Sequence, residues 1–203
     1  MKYALIPAAM LLSCTAAIAE GASGADKADP FKQPSVAYLE KFGVRDQKIF
    51  VYERYNAKGE LVSRDVTPLI QPVQVDSSTL RTINGVKYRL RGLNACPSRT
   101  IKYQAEEWDC SKAAKDYQEA VYNNRSSVIL CKTLVLQSKA AEPDAVSCFS
   151  LVGRGSDLEP FRVAYDDDAM VFMNMASIGR GKDGHSLRPD LGRSAKLGEQ
   201  FQQ

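Results

Sequence analysis

The chain has 203 residues, 44% of them apolar and 25% charged, with a formal net charge of +3. The apolar fraction excludes a disordered polyelectrolyte, and the length suits one ordinary domain with extensions. So small a net charge excludes a uniformly basic nucleic-acid binder and directs attention to local patches.

Residues 1–19 read as a secretory leader. Lys2 supplies the positive start, Ala4 to Leu12 the apolar run, and Ala17-Ile18-Ala19 a small-residue cleavage site before Glu20. The run is too short to span a bilayer, so no transmembrane segment is expected. Leu11-Leu12-Ser13-Cys14 supports a rival reading, a lipoprotein box with a lipid anchor at Cys14. Both readings export the protein, to the periplasm or the extracellular space, and the Ala-x-Ala site favours the soluble form. Four cysteines follow the leader: Cys96, Cys110, Cys131 and Cys148. Export makes disulfides chemically reasonable, and four cysteines allow three pairings. No CxxC pair or neighbouring histidine supports zinc.

Residues 20–68 are expected to form a linker and an N-terminal extension. Glu20 to Pro34 is polar and Pro-bearing. Ser35 to Phe42 has helical spacing at Val36, Leu39 and Phe42, with Gly43 as its stop. Ile49-Phe50-Val51-Tyr52 and Leu61-Val62 flank the turn formers Asn56 to Gly59, a hairpin that would cover an edge of the main barrel. Leu69 to Val75 reads as the first barrel strand, with Pro72 at an edge or bulge.

The sharpest local signal is Asn84-Gly85 between Thr79-Ile83 and Val86-Leu90. Both turn residues tolerate the positive φ of a type I′ turn. Alternation then sends Val86, Tyr88 and Leu90 to one face and Lys87, Arg89 and Arg91 to the other. In plain two-residue pairing Leu80 would oppose Arg89 on that cationic face. Between Asp76 and Glu106 there is no acid, while Arg81, Lys87, Arg89, Arg91, Arg99 and Lys102 all fall inside. This stretch is the candidate anion site, with Lys87, Arg89, Arg91 and Arg81 as its binding residues; the alternative is a solvated basic surface.

Cys110 to Asn124 is predicted as a helix, capped by Asp109 or Ser111, with an apolar stripe over Ala113, Ala114, Tyr117, Ala120 and Val121. Ser127–Leu136 and Ala145–Val152 read as consecutive strands that pair as a hairpin. Cys131 would then face Cys148, leaving Cys96 for Cys110. Ser156 and Glu159 form a capping box for a helix carrying Leu158, Phe161 and Tyr165. Asp166-Asp167-Asp168 would follow in a solvated loop, with calcium binding as the sharper alternative, and Ala169–Met173 would form a short strand. Residues 174–203 are expected as a tail, helical over Pro189–Phe201 although Gly192 and Gly198 weaken that reading.

The hairpin stretch resembles the staphylococcal-nuclease-like (thermonuclease) family, whose members read D-G-D-T-L, a hairpin, then R-L-R-G-I-D-A-P-E. Here the counterparts are Asp76-Ser77-Ser78-Thr79-Leu80 and Arg89-Leu90-Arg91-Gly92-Leu93-Asn94-Ala95, then Cys96-Pro97-Ser98. Trp108 to Ala114 resembles the family's W-x-C-G-x-x-A helix start, and Gly155 to Leu158 its G-x-D-L. The resemblance spans about residues 73–172. It implies a β-rich α+β fold: a five-stranded OB-fold barrel of the nuclease type over residues 69–173, with two or three helices at its side, plus the N-terminal hairpin extension.

The family's reaction is calcium-dependent phosphodiester hydrolysis, with carboxylate calcium ligands, a glutamate acting on the attacking water and two arginines on the phosphate. Carried over, one ligand position is Ser78 and another Asn94, the glutamate has no counterpart, and only the first arginine remains, as Arg89. Hard cations need charged oxygens, and losing the base alone costs ~10²–10⁴-fold. The expectation is therefore a pseudo-nuclease without a cofactor, acting as a binding module on an anionic ligand or an envelope protein, nucleic acid included. Two alternatives stand beside it. One is a calcium-dependent nuclease with acids rebuilt from Asp76 or Asp166–Asp168. The other is a structural envelope role in which Arg89 supports the barrel. His185, the single histidine, sits in a Gly-rich stretch and reads as a solvated loop residue.

Overall fold

The computed structural model describes residues 29–103, 106–135, 142–153 and 160–201. The leader, Cys14 and the capping box at Ser156–Glu159 lie outside them.

The first helix, α1 (Val36–Glu40), is capped by the Ser35 hydroxyl, which accepts from the Tyr38 N–H; Gly43 bonds back to the Glu40 carbonyl. Next come β1 (Ile49–Tyr55) and β2 (Leu61–Pro68), an antiparallel ribbon closed by the Asn56–Gly59 turn. β3 (Gln74–Ser77) begins later than predicted, because the chain through Pro72 makes no ladder. The Asn123 carboxamide instead holds Val73, accepting from its N–H and donating to its carbonyl. β4 (Leu80–Ile83) and β5 (Val86–Leu90) form the expected hairpin, with Asn84 at φ 48° and Gly85 at φ 81°. That pair of positive angles is the type I′ signature. Val86 departs from expectation, being 51% exposed beside the turn.

β6 (Leu93–Ala95) leads to a short hairpin with no sequence forecast, β7 (Thr100–Tyr103) with β8 (Glu106–Asp109). The Asp109 carboxylate then accepts from the Lys112 N–H and starts α2 (Cys110–Glu119). A π-helical turn over Ala120–Arg125 ends the element. β9 (Ser126–Leu134) and β10 (Asp144–Val152) pair antiparallel, with Cys131 directly opposite Cys148. Both expected disulfides are present, Cys131–Cys148 and Cys96–Cys110, with Cα atoms 4.2 and 5.9 Å apart.

Two predicted elements are corrected beyond this point. Arg162–Tyr165 is a strand, β11, on β10, where helical spacing of Phe161 and Tyr165 had suggested a helix. Pro160 precedes it and lacks the N–H a helix interior needs. Asp166–Phe172 is a helix, α3, so Asp166, Asp167 and Asp168 form its first turn rather than a solvated loop, and Ala169 to Phe172 is not strand. Carboxylates at that end complement the helix dipole. β12 (Ala176–Ile178) pairs with β6. A 3-10 turn at Pro189–Leu191 then runs into α4 (Gly192–Phe201), as predicted. Gly198 permits that helix: a Cβ there would lie 2.5 Å from the Phe172 carbonyl oxygen, so the glycine marks close approach to α3.

The large sheet runs β2-β1-β9-β10-β5-β4-β3, and β11 also pairs with β10. The fold is thus mixed α+β and strand-rich. Among the described residues β3 does not pair with β9 to close a five-stranded barrel, because the parallel neighbour β1 already takes that edge of β9. The N-terminal ribbon therefore shares a sheet with the expected barrel strands. One core cluster lies under β3–β5, α2 and α3 and includes Tyr88, Leu90, Tyr122, Ile129 and Met170. A smaller one, Leu39, Ile49, Val51, Val128, Leu130 and Leu151, lies under α1.

Candidate functional site

β5 has no bulge against β4. Ile83 pairs with Val86, Thr82 with Lys87, Arg81 with Tyr88 and Leu80 with Arg89. Opposite residues share a face, so Lys87 and Arg89 point outward together while Tyr88 and Leu90 enter the core. Both cations are exposed, and Leu80 does oppose Arg89, as plain pairing requires. Beside them the Thr82 hydroxyl donates to Asp76 at 3.2 Å.

The same register corrects Arg81. It lies on the Tyr88 face and is 0% exposed, so it cannot serve the outer cationic surface. Its Nη1 donates to the Tyr122 hydroxyl, which donates to Asp166 at 2.6 Å; the Arg81–Asp166 separation is 3.9 Å. Arg91 is also displaced from its expected role. It continues β5, its N–H bonding the Val146 carbonyl, but it is half-buried and its guanidinium lies 3.9 Å from the centre of the Phe31 ring.

Ser78, which the resemblance would put at a calcium-ligand position, is fully buried; its hydroxyl accepts from the Cys96 N–H at 3.2 Å. Asn94, at the other position, is exposed on β6. Of the acids proposed as substitutes, Asp166 and Asp167 are engaged elsewhere. Asp166 meets Arg81 and Tyr122 as above. Asp167 accepts from Arg188 at 2.5 Å and from Ser147 at 2.9 Å. Among the described residues no three His, Cys, Asp or Glu side chains converge as a metal-ligand group.

These buried ions form a closely bonded polar cluster. Arg188 is 0% exposed and donates to Asp167, Asp190, the Tyr165 hydroxyl and the Arg91 carbonyl. Gly92, at φ 64°, makes room for it: a Cβ there would stand 3.0 Å from the Arg188 Cγ. Burial pushes the Asp166 carboxyl up to about 7, against the pull of Arg81. Burial likewise raises Asp167, opposed by Arg188, while Arg188 is held above its ordinary range by its acid partners. Sequence reasoning missed this cluster, although one signal was at hand. The type I′ register fixes Arg81 on the Ile83–Tyr88 face, which predicts a buried cation and hence a buried acid.

No family model, curated protein or solved structure matches this chain. No described helix is long and apolar enough to cross a membrane, and two disulfides are compatible with an exported protein.

Proposed function

We propose that the chain is an exported, nuclease-like OB-fold protein that has lost hydrolysis and acts as a binding module through the basic outer face of β5. One observation carries this reading: Lys87 and Arg89 stand exposed, side by side and with no acid partner among the described residues. The positions that would hold calcium are meanwhile neutral, and Ser78 is buried. A face of this kind attracts anions by Coulomb steering and adds little to fold stability. The strand order β3-β4-β5-β10-β9 fits an opened OB-like sheet, a surface on which such folds take oligonucleotides and oligosaccharides. The ligand is anionic, a nucleic acid or an acidic envelope component, and no cofactor takes part.

The test has two arms on the mature protein. Binding of labelled single-stranded DNA and of heparin oligosaccharide is followed by anisotropy for wild type and for Lys87→Ala/Arg89→Ala. The double variant is expected to lose about tenfold in affinity and about two units of salt slope on nucleic acid, with an unchanged melting temperature. The second arm follows DNA and RNA hydrolysis with Ca²⁺ against a chelator. Calcium-dependent cleavage abolished by Arg89→Ala would establish the nuclease reading instead, and identical binding by the double variant would leave a structural envelope role.

A further inference from the structure

Residues 29–34, Asp-Pro-Phe-Lys-Gln-Pro, run beside the sheet, with a turn in which the Lys32 N–H donates to the Asp29 carbonyl and with contacts at two points to residues from two strands. At one point the Phe31 ring covers Arg91, at the end of β5. At the other, Lys132 of β9 donates to the Lys32 carbonyl at 3.1 Å. β10 lies between those two strands in the sheet order, and side chains from both reach neighbouring residues of this segment. The segment takes no strand pairing, and Pro30 and Pro34 have no N–H to offer. Phe31 is only 7% exposed, yet it belongs to neither core cluster.

Arg91 is poorly served beneath this cover. Its Nε is buried without a hydrogen-bond partner. Arg188 lies close enough to repel it, and the nearby Asp167 and Asp190 carboxylates hydrogen-bond to Arg188. Burial first, then Arg188, lowers the Arg91 guanidinium below its ordinary range. A half-buried cation that faces a ring and, among the described residues, has no acceptor for its Nε gains from an arriving anion. Arg91 also extends the outward row of Lys87 and Arg89, at alternate residues about 7 Å apart along the strand. Such a row suits a linear polyanion better than a single ion.

We propose that residues 29–34 are a displaceable lid, with Phe31 seated where an anionic group of the ligand would meet Arg91. The inference rests on the basic face of β5 being the binding surface. In the closed form two cations are offered, and with the lid displaced there are three. Engagement of all three cations draws on the open fraction, so the affinity of that mode is reduced by that fraction.

The probe is fluorescently end-labelled short-chain inorganic polyphosphate, titrated against the full mature chain at several salt concentrations. Phe31→Ala is expected to bind about three- to tenfold tighter than wild type, with the salt slope steeper by about one. Arg91→Ala added to Phe31→Ala should cancel the gain. Lys132→Met, which frees the Lys32 carbonyl without touching Arg91, should also tighten binding and decides the matter if Phe31→Ala fails to fold. If wild type binds and Lys87→Ala/Arg89→Ala weakens it, but neither lid variant tightens it, the lid is overturned and the basic face stands. If no variant binds polyphosphate, heparin or single-stranded DNA, the basic-face reading falls and the lid with it.

Discussion

Replacing Arg188 by Met tests the account of the core most severely. The guanidinium is completely buried, and so is Asp167 opposite it. Met fills much of the volume but leaves a carboxylate in a low-dielectric site with only Ser147 and the Cys148 N–H, at 2.9 and 3.4 Å, as donors. Tyr165 and the Arg91 carbonyl lose their partner too. Breaking a buried pair on one side costs about 3–5 kcal/mol. With an m-value of about 2 kcal/mol/M in urea, the unfolding midpoint should fall by roughly 2 M. Removing both charges, as Arg188→Met/Asp167→Leu, should recover much of that loss, because the cost lies in the orphaned charge rather than in the pair. The measurement is equilibrium urea unfolding by tryptophan fluorescence and circular dichroism. A single variant within about 1 kcal/mol of wild type would refute the reasoning. So would a double variant no more stable than the single one.

Other consequences are open to the same methods. Asp166 has a folded-state value raised to about 7 from an ordinary carboxylate value near 4. Its contribution to stability is therefore complete below the unfolded value and is lost as pH rises through about 7. Wild type should lose on the order of 2 kcal/mol between pH 5 and 8 that Asp166→Asn does not lose; a wild-type curve rising over that window relative to the variant would contradict the assignment. Gly198→Ala should lower the melting temperature even though alanine is the better helix former by about 1 kcal/mol, since the added Cβ meets the Phe172 carbonyl oxygen at 2.5 Å. A stabilised variant would mean that α3 and α4 can part without cost.

What the sequence disclosed was largely what neighbouring residues decide. Asn84-Gly85, the Asp109 cap, and the ribbon around Asn56–Gly59 are local chemistry, and each lies where it was expected. Cys131–Cys148 was legible because two apolar strands with a short link pair with each other. The failures came where distant partners decide. Three consecutive aspartates look like a solvated run until Arg81 and Arg188, far apart in the chain, close on two of them. Phe161 and Tyr165 have helical spacing, but the free edge of β10 takes that segment as strand. Lys87 and Arg89 lie exposed on the outward face, where alternation alone places them. The half-burial of Arg91 was not legible, because the Phe31 that covers it is sixty residues upstream.

The position of Arg188 also bears on the order in which the molecule can be completed. Along β10 the pairing with β5 ends at Val146 and that with β11 begins at Phe149. At the fork between them Asp167 takes the Ser147 hydroxyl and the Cys148 N–H, standing in for a missing strand. The charge that makes this tolerable comes from Arg188, 21 residues further along the chain than Asp167. A polypeptide emerging from its N-terminus can thus form the ribbon, the hairpins and both cysteine-bearing strands and still have an unsealed centre. Until the segment that carries Arg188 has docked, Asp167 lacks its buried countercharge, which makes that docking the step that seals the interior.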